Sequence, residues 1–152
     1  MNNDHADTDQ ADNDHADPDH ADPECAGRLH HVELYASDLD ASVGFWDWLL
    51  GELGYEPKND WAAGRSWIRD PTYVVLVQAD ERDHPFDRRA AGLNHLAFHA
   101  ASREQVDTLT EGVRERDDAS LLFEERHPYA GGYYALYCEG PEGIKVEVVA
   151  PE

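Results

Sequence analysis

LHHVELYAS at 29–37 and LNHLAFHAA at 93–101 superimpose at a constant offset of 64 residues, which places His31 on His95. Val32, Leu34 and Ala36 align with Leu96, Phe98 and Ala100 as one apolar face. His31, Glu33 and Tyr35 align with His95, Ala97 and His99 on the other. Apolar residues at every second position mark a strand with one buried face. A histidine at the same point of two repeated strands suggests a paired metal site.

Each strand runs into a helical pattern. Residues 39–53 carry Val43, Trp46, Leu49, Leu50 and Leu53 on one stripe, and residues 103–116 carry Val106, Leu109 and Val113. Spacing of three and four residues predicts amphipathic helices. Ser37 and Asp38 before the first, and Ser102 before the second, are side chains that cap free helical amides. Strand-like runs follow at 56–59, 65–69 and 72–79, and again at 120–125, 132–138 and 144–149. The pattern predicts an α+β fold of two tandem βαβββ modules at 29–80 and 92–152, joined by a charged linker at 81–91.

The 152 residues suffice for a proper core. No apolar run approaches the roughly 20 residues of a membrane span, and no basic-then-apolar leader opens the chain, so the expectation is a cytoplasmic protein that does not enter membranes. The net charge is −21, and the first 24 residues hold nine Asp or Glu with no Lys or Arg. The remainder is acidic too, with only two lysines, Lys58 and Lys145. Such a surface suits work in concentrated salt, where self-repulsion is screened, and halophilic origin is the inference. Nucleic-acid binding is excluded, because phosphate contacts need clustered Lys and Arg. Residues 1–28 read as a disordered acidic tail: His-Ala-Asp recurs at 5, 15 and 20, and the segment lacks apolar surface to offset ordering entropy. Its histidines offer at most loose metal binding. Cys25 and Cys138 share no close-spaced motif and read as free thiols.

On the last strand Ile144, Val146 and Val148 read as the helix-facing side. That leaves Lys145, Glu147 and Val149 on the face type that carries His31 and His95. Two imidazoles and a carboxylate suit one divalent Fe, Mn, Zn or Ni ion, with positions left for water or substrate. The alternative is three unrelated polar residues on strands.

The segments HVELYASDLDASVGFWDWLLGELGY (31–55), GLNHLAFHA (92–100) and YYALYCEGPEGIKVEVV (133–149) resemble the vicinal oxygen chelate superfamily, the group of glyoxalases, bleomycin resistance proteins and extradiol dioxygenases. The resemblance implies a glyoxalase-like, cup-shaped open barrel with a divalent metal at its base. It places His31, His95 and Glu147 on the ligand positions and implies a small-molecule substrate and a homodimer. Glyoxalase I enzymes take a fourth ligand from the last strand of the first module. Matching 148–150 to 77–79 puts Leu76 there, with Gln78 two residues along, so standard glyoxalase I chemistry is disfavoured. Extradiol dioxygenases carry a histidine, an apolar residue with tyrosine, and a Pro-x-Gly turn before the ligand glutamate, as do His127, Leu136, Tyr137, Pro141, Gly143 and Glu147. The expected catalytic residues are His99, His127 and Tyr137, and Tyr129, Gly131 and Gly132 belong to the same lip. Glu33 is a candidate substrate contact or an exposed strand glutamate. Arg65, Trp67 and Arg69 share a face that binds substrate if it lines the cup and is solvated otherwise. The reading is a metalloenzyme, with extradiol dioxygenation favoured over lyase or isomerase chemistry. The rival is a protein sequestering an aromatic or drug-like ligand, for which Trp46, Trp48, Trp61 and Trp67 are available.

Overall fold

The computed structural model describes residues 25–126 and 134–152. Its elements are β1 (His31–Ala36), α1 (Leu39–Glu52), β2 (Glu56–Trp61), β3 (Gly64–Arg69), β4 (Thr72–Gln78), β5 (Leu96–His99), α2 (Arg103–Arg114), β6 (Ser120–Leu121), β7 (Ala135–Glu139) and β8 (Lys145–Val149). Single 3₁₀ turns cover Glu124–Arg126 and Pro141–Gly143. Two mixed four-stranded sheets result, ordered β1-β4-β3-β2 and β5-β8-β7-β6. In each, the first strand lies parallel to the last. Among the described residues neither sheet closes on itself, and the architecture is an open α+β fold. The expected acidic tail, apart from its last four residues, falls outside the described residues.

The alternation read from the repeat decides which face is buried. Leu34, Ala36, Leu76, Val146 and Val148 are all buried, and they join Trp46, Leu49, Leu50, Val106, Leu109 and Val113 in one core. Both helix starts are capped as expected. Asp38 Oδ1 accepts from the Ala41 amide at 3.0 Å, and Ser102 Oγ from the Gln105 amide at 3.1 Å. Ser37 does not cap α1 itself; its hydroxyl donates to Glu142 Oε1 at 3.0 Å. That oxygen also accepts from the Asp38 amide and the Ser42 hydroxyl. A carboxylate of the second module thus sits at the N-terminus of α1, where the helix dipole favours negative charge.

The stripe read on α1 is too narrow. Ser42 and Phe45 are fully buried as well, because α1 packs on its own sheet and also on the second module. A Cβ on Gly140 would stand 2.6 Å from the Phe45 ring, so only glycine permits this approach. Trp48 lies over Gly112 of α2 and stacks under the Arg116 guanidinium at 4.9 Å. Cys25 and Cys138 are free thiols, as expected. Burial pushes the Cys138 thiol up to about 12, which keeps it protonated and unreactive at neutral pH.

Candidate metal centre

The helix-free face of the second sheet carries His95, Ala97 and His99 from the β5 segment, Lys145, Glu147 and Val149 from β8, and Tyr137 from β7. Glu147 is the ladder partner of both Ala97 and Tyr137, so these side chains share one face. His95 Nε2 stands 3.1 Å from Glu147 Oε2. Two donors each about 2.1 Å from one ion would be separated by about 3.0–3.4 Å at octahedral or tetrahedral angles, so the pair fits a divalent cation. The other ring nitrogen of His95 meets Asn94 Oδ1 at 2.7 Å, which fixes the ring and aims Nε2 at Glu147. The Tyr137 hydroxyl donates to Glu147 Oε1.

His31 is placed differently. It opens β1, its ring stacks on that of its ladder partner Tyr73 at 4.8 Å and 7°, and its Nδ1 lies 2.9 Å from Nδ1 of His30. Among the described residues, no three His, Cys, Asp or Glu side chains are grouped to hold a metal ion. Within one chain the expected triad is therefore two donors and a separate histidine. The face bearing His31 is open: His31 and Glu33 are exposed, and Tyr35 is 63 % exposed.

Several expectations are relocated. The register shows that Glu33, the counterpart of Ala97, pairs with Val75. Val75, and not Leu76, is thus the first-module counterpart of Glu147. Leu76 pairs with Leu34 on the helix side and is fully buried. Valine, like leucine, offers no donor atom to a metal ion. Gln78 serves as a helix cap: its Oε1 accepts from the Leu39 amide at 3.2 Å, and its Nε2 donates to the carbonyls of Ala36 and Ser37, both at 2.9 Å. Arg65, Trp67 and Arg69 also face the helix. Arg65 Nη1 and Trp67 Nε1 donate to Asp47 of α1 at 2.8 and 2.6 Å, and Arg69 donates to the Leu53 carbonyl. They fasten α1 to its sheet, and Arg69 also borders the cavity beside His99.

His99 is exposed on the His95 face, four residues further along and beside a cavity bordered by Tyr55 and Phe98. Glu33 borders a separate cavity of about 620 Å³ with Tyr35, Glu81, His84 and Glu142. His127, Tyr129, Gly131 and Gly132 lie outside the described residues. Trp46 and Trp67 are core, Trp48 is at the seam between modules, and only Trp61, 43 % exposed, stands on the open face over Gly64. Lys145 shares the site's face and is buried there, with no role evident from its place in the strand alone. The scarcity of lysine was the available signal.

Comparison with known proteins agrees with this architecture. The chain is 50 % identical over 127 residues to the uncharacterized protein YqjT of Bacillus subtilis (strain 168), covering 81 % of this chain and 98 % of that one. A solved structure from Bacillus halodurans, which bears the provisional name glyoxalase, is 54 % identical with a TM-score of 0.79, covering 84 % and 98 %. A mutant FosX, a fosfomycin resistance protein of Listeria monocytogenes complexed with Mn(II) and 1S,2S-dihydroxypropylphosphonic acid, shares the fold at 18 % identity and a TM-score of 0.61, covering 83 % and 91 %. The model of the Glyoxalase/Bleomycin resistance protein/Dioxygenase superfamily matches residues 28–148, and the chain belongs to that family.

Proposed function

We propose that this protein is a metal-dependent enzyme that takes a small substrate through two adjacent oxygens, with ring-opening dioxygenation of a catechol-type substrate as the favoured reaction. The observation that carries this reading is the convergence of His95, Glu147 and Tyr137 on one sheet face with metal-compatible spacing. The ion would be Fe, Mn, Zn or Ni, and the FosX neighbour in complex with Mn(II) shows that this fold accepts such an ion. The working unit is a homodimer, supported by the open face of β1 and by His31 standing apart from the other two donors: a second copy supplies the third ligand.

A divalent ion bound there supplies Lewis acidity, stabilising negative charge as it develops on substrate oxygens. His95 and Glu147 orient the chelated substrate, and Asn94 keeps the imidazole in the required tautomer. The Tyr137 hydroxyl, held by Glu147 Oε1, would exchange a proton with a substrate oxygen brought beside it. Val75 in place of a fourth carboxylate leaves an open position for bidentate chelation and removes the base that a glyoxalase I needs on the hemithioacetal.

The test is an assay of the protein reconstituted with Fe(II), Mn(II), Zn(II) or Ni(II) against catechols under oxygen and, separately, against methylglyoxal plus thiol. Oxygen uptake with a ring-cleaved product is expected, with negligible hemithioacetal turnover. Hemithioacetal turnover on the order of 10 per second, typical of enzymes, would overturn the reading.

A further inference from the structure

Lys145 lies on β8 two residues before Glu147 and on the same face, and it is only 8 % exposed. Charged side chains buried this deeply are normally paired, because an isolated ion is costly away from water. The carboxylate directly across the ladder is Glu139. Glu139 is already taken, since Arg88 Nε donates to its Oε2 at 3.0 Å. The ammonium of Lys145 instead stands 5.7 Å from the centroid of the Tyr137 ring. Among the described residues, no carboxylate pairs with it, in a chain with 33 acidic residues and a net charge of −21. Its neighbour Tyr137 is the residue bonded to Glu147. The row Lys145, Tyr137, Glu147, His95 therefore runs from an unpaired cation to the candidate metal donors.

We infer that Lys145 receives an anionic group of the substrate, which makes the substrate an organic carboxylic acid whose two adjacent oxygens are held at His95 and Glu147. This inference rests on the chelation reading proposed above. The Lys145 ammonium is 5.7 Å from the centroid of the Tyr137 ring, whose hydroxyl bonds Glu147, so about the width of one aromatic ring separates the cation from the candidate donors. With Glu139 held by Arg88, the one remaining ammonium matches a single negative charge, which favours a carboxylate over a dianionic phosphate. A site built around an ionic partner discriminates against the analogue that lacks it, because the buried charge is then left unpaired.

The experiment is calorimetric binding of 3,4-dihydroxybenzoate and of catechol to the Mn(II)-loaded, full-length protein without oxygen, for wild type, Lys145→Met, Lys145→Arg and His95→Ala. Methionine fills the space of the lysine stem, and circular dichroism confirms folding of each variant. Wild type is expected to bind the carboxylated probe roughly tenfold more tightly, a difference of about 1.4 kcal/mol. Lys145→Met should abolish that preference while leaving catechol affinity unchanged, and Lys145→Arg should keep part of it. Equal binding of both probes by wild type, or a preference that persists in Lys145→Met, overturns the role of Lys145 and leaves chelation standing. A preference lost in Lys145→Met but indifferent to His95→Ala supports the anion site and overturns chelation. Failure of wild type to bind either probe overturns both.

Discussion

Replacing Glu147 with alanine is expected to lower affinity for a divalent ion by more than about a hundredfold. Loss of groups that merely orient a ligand already costs about 10–100-fold in metal affinity or activity, and Glu147 is a direct donor candidate that also anchors Tyr137. His95 would be left with only the His31 imidazole of a second copy, a neutral donor pair with no carboxylate to offset the charge of the ion. Titration with Mn(II) followed by electron paramagnetic resonance reads the loss directly. If the site is shared between copies, His31→Ala loses affinity equally. Mixing His31→Ala with Glu147→Ala subunits then restores part of it, because one of the two sites in the mixed dimer keeps all three donors. Wild-type affinity in Glu147→Ala would remove this carboxylate from the site.

Phe45→Ala is expected to give the largest loss of stability. Phe45 is fully buried, meets Trp46 edge to face at 5.4 Å and packs against Gly140 of the second module. Its removal opens a cavity where α1 joins both modules, and truncations of this kind cost about 3–5 kcal/mol. For a chain of this size that corresponds to a fall of roughly 6–20 °C in Tm. Differential scanning calorimetry checks it, and a shift of less than about 2 °C would mean that the two modules do not depend on this contact.

The sequence disclosed most where one face of an element is buried and the other is not. Strands β1, β5 and β8 each show period-two alternation, and their faces, including that of Glu147, came out as read. Strand β4 was different: Val74, Val75, Leu76 and Val77 are apolar on both faces, so alternation carries no register there, and the fourth-ligand position was assigned one residue late. Strand β2 is exposed along its whole length and is held as an edge by β3, a partner that its own composition does not announce. The run at 120–125 stops after Leu121, since Phe123 takes φ of 61°, a conformation outside the strand region. The roles of Arg65, Trp67 and Arg69 depend on Asp47 of α1, a tertiary partner, and the separation of His31 from His95 depends on how two modules dock. Neither is encoded in periodicity.

The central claim is that this face holds one divalent metal ion, and elemental analysis of the full-length protein purified without chelators tests it most directly. The account predicts about one Fe, Mn, Zn or Ni per chain, retained through dialysis and lost in Glu147→Ala. Protein that emerges metal-free and takes up none of the four ions on equilibrium dialysis would contradict it.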